Sequence, residues 1–350
     1  IKLRAEMLSE YWKKVAEDEF EGVNYGDPGN FSDQWYEERE VEIAKVEKEC
    51  EARSKALNKA WREEEDLGKG VKLVMVLVPA GKFMMGDTQK ELDELEENLM
   101  EEFKKTMGKD FGKQELELID LMISMQGRQH EVTITKPFYM GKYEVTQEQW
   151  EALMGKNPSV NVGPRLPVTN VSWVECQEFI KVLNLKTKGE YRLPTESEWE
   201  YACRAGTKTN FIDDWEDKSL LGKSPLYMNI RESNLKMPID VGSYVPNAFG
   251  FYDMLGNVWE WCLDPWHSDY QGAPPTDGSV WDEKNIDNRY QNLLNSINKL
   301  LTDDRDCVLR GGSWFGLPNL CRSACRSYDF RRGFNFSFGF RVVCGAGRTL

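Results

Sequence analysis

The chain has 350 residues, 40% hydrophobic and 30% charged, with 59 acidic against 45 basic side chains and a net charge of −14, enough for a sizeable core in one or two domains. That acidic balance, unbroken by any block of Lys or Arg, argues against nucleic acid and anionic membrane surfaces as partners. Only two histidines, His130 and His267, are present, so neither a three-histidine metal site nor an HExxH zinc site can be built from one copy.

Residues 1–70 read as a helical N-terminal region. Leu8, Tyr11, Trp12 and Val15, then Ile43, Val46, Cys50, Leu57 and Trp61, recur at helical spacing on either side of a break at Gly22, Gly26, Asp27, Pro28 and Gly29. A pair of helices with a solvated charged face accounts for this; the rival, a partner-binding coiled coil, loses its heptad register at Arg53. From Val71 the apolar run Leu73 to Val78, followed by Pro79, Ala80 and Gly81, predicts a strand and turn that open a globular domain over residues 71–345. An acidic helical stretch over about 91–125 interrupts that domain as an insertion, and Glu131 to Thr135 then alternates as a strand. Helices are predicted after Thr146, after Ser172 and over Pro194 to Arg204, where Thr195 and Glu198 have the spacing of a capping box. The remaining half is rich in Gly, Pro, Asn and aromatic residues, and lacks regular strand and helix alternation, which points to an irregular α+β domain. No run of roughly 18 apolar residues marks a membrane span. Eight cysteines with no CxxC pair leave the redox compartment open.

Seven runs carry a resemblance: VLVPAGKFMMGD (76–87), KPFYMGKYEVTQEQW (136–150), PVTNVSW (167–173), YRLPTESEWEYACRAGT (191–207), NAFGFYDMLGNVWEWC (247–262), LRGGSW (309–314) and GFRVV (339–343). In this order they resemble the formylglycine-generating-enzyme, or sulfatase-modifying factor, superfamily. The resemblance implies an elaborated C-type-lectin fold, loop-rich and of α+β class, carrying the N-terminal helices as an appendage. Function has to be argued from the site. Trp259, Trp261 and the GGSW glycines read first as core packing.

The loop FYDMLGNVWEW offers two carboxylates and turn carbonyls within eight residues, the hard oxygens that calcium takes. The resemblance implies a calcium ion held by the side chains of Asp253 and Glu260 and the main-chain oxygens of Gly256 and Val258; the alternative is a turn whose carboxylates bond local amides. Family members that generate formylglycine bind copper through two cysteines, five positions apart, shortly after the GGS motif. Here Trp314 is followed by Phe315, Gly316, Leu317 and Pro318, and the next thiols, Cys321 and Cys325, lie only four apart. The expectation is therefore that the chain is not an enzyme, with an oxidase of the formylglycine-generating kind as the alternative. The resemblance also implies a disulfide between Cys203 and Cys321.

The segment 315–338 contains six aromatic residues and four arginines against a single acid, Asp329, and lacks Lys, Glu, Gln, Met and Trp. With a scrambled segment between GGSW and GFRVV, the chain resembles the variable proteins of diversity-generating retroelements, of the Treponema variable protein type. Mutagenesis of AAC codons there yields NNC codons, which cannot encode those five residues. The resemblance implies a noncatalytic, receptor- or adhesin-like recognition surface made of Phe315, Gly316, Leu317, Asn319, Leu320, Cys325, Ser327, Tyr328, Asp329, Phe330, Gly333, Phe334, Asn335, Phe336, Ser337 and Phe338. Cys321, Arg322, Ser323, Ala324 and Arg326 are then scaffold. Aromatic and Arg side chains carry interface energy, and Gly, Ser and Asn let loops adapt. The rival reading makes Phe334, Phe336 and Phe338 the inward side of a strand. The resemblance further implies a monomer facing a protein or surface molecule, exported to the cell surface as a lipoprotein whose lipid anchor precedes Ile1.

Overall fold

A computed structural model describes residues 33–210, 228–233, 235–270, 272, 274–282 and 304–346. The first of the two expected N-terminal helices lies outside these residues. The second is α1, Asp33–Ala56. It stops short of Trp61, and the charged run that follows is not helix: β1, Arg62–Gly68, pairs antiparallel with β2, Val71–Val78. Gly68, Lys69 and Gly70 all take positive φ in the hairpin between them, a conformation that glycine reaches without strain. In β1 exposed Arg62, Glu64 and Asp66 alternate with half-buried Glu63 and Glu65, so charged residues occupy both faces and the period-two order escaped a reading based on charge.

β2 continues the apolar run expected of a strand and pairs with β5, Phe138–Gly141, which in turn pairs with β10, Val343–Gly345. The order β1-β2-β5-β10 makes one antiparallel sheet. β3, Gly81–Met85, pairs with β4, His130–Ile134. The third sheet has the order β8-β7-β6-β9, from β6, Trp259–Pro265; β7, Cys307–Arg310; β8, Arg326–Asp329; and β9, Phe338–Gly339. Its β6 and β9 run parallel.

Between β3 and β4 the predicted insertion is a helical hairpin, α2 Gln89–Met107 and α3 Lys113–Ser124. After β5 come α4 Gln147–Met154, α5 Trp173–Thr187 and α6 Glu196–Arg204. Helices α2, α4, α5 and α6 each begin on a Ser or Thr with Glu or Gln three residues later, and both halves of the capping box form. At Thr195 the hydroxyl accepts from Glu198 N at 3.1 Å while Glu198 Oε2 accepts from Thr195 N at 2.9 Å, satisfying two amides that the helix start would leave orphaned. No described helix is long and apolar enough to cross a membrane.

Apolar residues gather in three clusters. One centres on Trp173, Phe179, Trp261 and Phe340, another on Trp199, Phe251 and Val343. The third joins Leu95, Leu99, Phe103, Leu118, Ile119 and Met122 of the insertion to Leu317, Leu320 and Cys325. The insertion thus lies against the segment that follows GGSW, and this contact shapes the site.

Candidate functional site

Strand β7 ends at Arg310, and Gly311 and Gly312 turn the chain with φ of +96° and +80°. A Cβ on Gly312 would meet Cys321 Sγ at 2.4 Å, so the turn packs directly on the loop it supports. Arg310 is completely buried and donates to the carbonyls of Ser323, Ala324 and Cys325 at 2.7–2.9 Å. Its charge is met by Glu200. Two further arginines of the same loop are held alike: Arg322 by Asp87 at 2.6 Å and Arg326 by Glu196 at 2.6 Å. Burial pushes the Glu196 carboxyl up, but Arg326 and Arg310 outweigh it and hold it below the usual range. Each ion pair joins the loop to a distant element, and removing one partner from such a pair strands a buried charge. Sequence reading marked Arg322 and Arg326 as scaffold; it gave no way to find Asp87, Glu196 and Glu200, because the pairing is tertiary.

Outward of this clamp the segment divides. Phe330, Phe334 and Phe336 are 53%, 65% and 42% exposed. Phe315, Asn319, Ser327, Tyr328, Asp329, Gly333, Asn335 and Phe338 are half-buried. Gly316, Leu317, Leu320, Cys325 and Ser337 are buried, and Leu317, Leu320 and Cys325 face the insertion helices, so these three side chains offer a ligand no surface. The strand that would have turned its phenylalanines inward is reduced to Phe338–Gly339. Only Phe338 joins the core margin, edge-on to Trp261 at 5.5 Å. Trp314, Phe315 and Phe336 form a ring cluster with centroids 5.5–6.3 Å apart. The Trp314 Nε1 donor within it has no partner. Tyr328 stacks on Trp266 at 4.6 Å. A cleft of about 1040 Å³, lined by Lys59, Lys136, Lys188, Arg192 and Cys344 among others, shares no residue with this face.

The loop expected to hold calcium is ordered differently from its expected ligand set. Glu260 Oε1 accepts from Arg341 Nη2 at 2.7 Å, and Oε2 from Arg341 Nε at 2.7 Å and Trp199 Nε1 at 2.8 Å. Its negative charge is thereby spent on Arg341. Gly256, at φ +81°, packs on Asn229, whose carbonyl oxygen a Cβ would meet at 2.3 Å, and Val258 is fully buried. Asp253 does turn inward: Oδ2 accepts from Gly242 N at 2.7 Å, and buried Oδ1 has no partner. Glu144 Oε2 and Asn229 Oδ1 are likewise buried without partners. Burial, and then the Asp253 charge, push Glu144 well above the ordinary carboxylate range; burial pushes Asp253 up to about 6. Among the described residues no three His, Cys, Asp or Glu side chains converge as a metal cage. A cation at this place fits Asp253, but it fits Glu144 and neutral oxygens better than it fits Glu260.

All eight cysteines are buried and none is in a disulfide. The expected disulfide is absent, although both thiols belong to one apolar cluster: Cys203 Sγ lies 4.0 Å from Met254 O and Cys321 Sγ 3.7 Å from Ser313 O. Burial pushes Cys325 up to about 11, so it is a thiol at neutral pH, whereas soft-metal binding needs the thiolate.

The scaffold with its GGSW turn, buried Arg clamp and WEW strand corresponds to a known family model. The model described as sulfatase-modifying factor enzyme 1-like domain matches residues 69–346. The chain belongs to this family. Formylglycine-generating enzyme of Streptomyces coelicolor is 32% identical over 57% of this chain and 59% of that protein, and the mouse enzyme of the same name 28% over 61% and 53%. The chain thus spans a little over half the length of these two relatives. Among solved structures, PvdO from Pseudomonas aeruginosa is 27% identical with a TM-score of 0.60, and Treponema denticola variable protein 1 is 22% identical with a TM-score of 0.58. Each likeness covers 82% of this chain and 99% of the other. The α+β fold of this superfamily is thereby established. The same relatives overturn the expectation that the chain is not an enzyme: proteins named as formylglycine-generating enzymes match over more than half of it, and the missing cysteine pair alone does not set that aside.

Proposed function

We propose that this chain recognises a partner molecule through the face formed by Trp314, Phe315 and the 327–338 segment, a surface diversified on a formylglycine-generating-enzyme-like scaffold. The observation that carries it is the exposure of Phe330, Phe334 and Phe336 on one segment, with Phe336 packed against Trp314. Large aromatics left in water are costly unless a partner covers them. Arg310, Arg322 and Arg326 fix the loop beneath without drawing on these side chains, so the face can change while the fold stays. A protein or surface molecule, met by a monomer at the outside of the cell, goes with this reading.

The relatives' names favour a second reading of the same surface, in which the recognised partner is a substrate. Incubation with a cysteine-containing sulfatase peptide and copper, followed by mass spectrometry for formylglycine, tests it. For the diversified face the deciding observation is genomic: a near-copy of the 310–343 coding segment, with AAC at the codons of Phe330, Phe334 and Phe336, beside a reverse transcriptase gene. Flanking DNA without such a copy overturns the diversification.

A further inference from the structure

We propose that the cleft beside β10 takes an extended, acidic peptide segment of a partner protein, which adds to the free edge of the β1-β2-β5-β10 sheet at Gly345. The cleft shares no residue with the recognition face, and the inference does not depend on that face. β10 is the last strand of its sheet. Backbone groups of a strand point alternately to its two sides, and the hydrogen bonds fix which is which. Val342 O accepts from Gly141 N on the β5 side at 2.8 Å, whereas Val343 faces outward and exchanges both bonds with Arg192 at 2.8 and 2.9 Å. Gly345 therefore also presents its N–H and C=O outward. Arg192 and Val343 form an isolated bridge, so the pairing stops before it reaches Gly345. That residue is exposed, a Cβ on it would meet nothing within 4 Å, and its backbone has no outward partner among the described residues.

The chain on the other side is tied to α5 instead. Lys188, which caps that helix, takes φ +56°, and Asn184 holds both backbone groups of Tyr191, donating to its O at 2.9 Å and accepting from its N at 2.6 Å. Between the 188–190 segment and the end of β10 lies the cleft of about 1040 Å³, at the upper end of the range for ligand sites. Its charges select the occupant. Arg192 and Glu198 satisfy one another at 2.6 Å, Asp277 accepts from Ser279 N and Oγ, and Lys59 donates to Ala346 O, steadying the end of β10. Lys136 and Lys188 are exposed and face no carboxylate partner among the described residues; of the lining acids, Glu190 alone is left without a described partner to set against them. On a chain of net charge −14 this is a local reversal of sign. Lysines beside a bare edge turn away basic strands and admit an acidic one, with main-chain bonds supplying affinity and alternate side chains specificity.

The test uses the full chain and two synthetic peptides, acetyl-Glu-Val-Glu-Val-Glu-amide and its counterpart with Lys in place of Glu. The acidic peptide should bind at one site per chain, followed by fluorescence anisotropy, and should slow hydrogen exchange at the Gly345 amide; the basic one should not bind. Full N-methylation of the acidic peptide should abolish binding, since it removes the main-chain donors and keeps the charges. Lys136→Glu combined with Lys188→Glu should weaken binding roughly tenfold, whereas Phe336→Ala, on the recognition face, should leave it unchanged. No binding at millimolar peptide overturns the inference. So do equal affinities for the two peptides, undiminished binding of the N-methylated peptide or in the double lysine variant, a loss of binding in Phe336→Ala, or a Gly345 amide already slow to exchange before peptide is added.

Discussion

Trp261 and Phe336 are both large aromatics of the last hundred residues, yet they stand in opposite environments. Trp261 is completely buried and its indole N–H donates to Val171 O at 3.0 Å; Phe336 is 42% exposed. Replacing Trp261 by Ala should cost about 3–5 kcal/mol, as for a core aromatic. Phe330→Ala and Phe336→Ala should each cost less than about 1 kcal/mol. Tyr328→Ala falls between, because the stack on Trp266 is worth about 0.5–1.5 kcal/mol. Urea melts of the four variants check this, and a loss at Phe336 as large as that at Trp261 would make its ring part of the core. Asp264 supplies a second prediction at this scale. Burial, and then the Glu196 charge, push its carboxyl up to about 7, against the hydrogen bonds from Trp281 N and Glu196 N. A carboxyl with a raised folded pKa binds its proton more tightly in the native state. Its contribution is therefore fully present below about pH 4, the unfolded value, and is lost as pH rises through about 7. Stability measured from pH 4 to 8 should fall less steeply in Asp264→Asn than in the wild-type chain; parallel curves would place the titration elsewhere.

The insertion hairpin acts as an element in its own right. Its helical character was legible in the sequence, because period is a local signal. What the apolar side covers was not: Leu99 and Phe103 pack with Leu317, Leu320 and Cys325 across more than 200 residues of chain. For that reason three positions expected on the recognition surface turned out buried. Composition shows which residue types a segment contains, and only packing decides which of them face water. Phe103→Ala should destabilise the chain by about 3–5 kcal/mol and loosen the hairpin from the 317–325 loop. Alkylation of Cys325 followed by peptide mapping should then proceed faster than in wild type. An unchanged rate would mean that the loop is shielded without the hairpin.

At the scale of the whole molecule, four buried arginines, Arg310, Arg322, Arg326 and Arg341, pair with Glu200, Asp87, Glu196 and Glu260 and join the sheets, the helices and the GGSW loop. This network stands where the expected disulfide was to bind the same loop. Denatured, unreduced protein should therefore give eight reactive thiols on titration, and its thermal midpoint should not respond to reductant; six thiols would restore a disulfide. By itself the sequence determined the superfamily, the helices after Thr146, Ser172 and Pro194 with the Thr195–Glu198 cap, the strand β2 and the turn glycines of GGSW, since all of these are written in local spacing or in ordered motifs. The tertiary structure alone decided that residues 62–68 join a sheet, which of residues 315–338 reach solvent, that Glu260 is spent on Arg341, and that the Glu144 carboxyl lies near that of Asp253. Those are partnerships between residues far apart in the chain, and burial and charge pairing acquire their meaning only when the two ends meet.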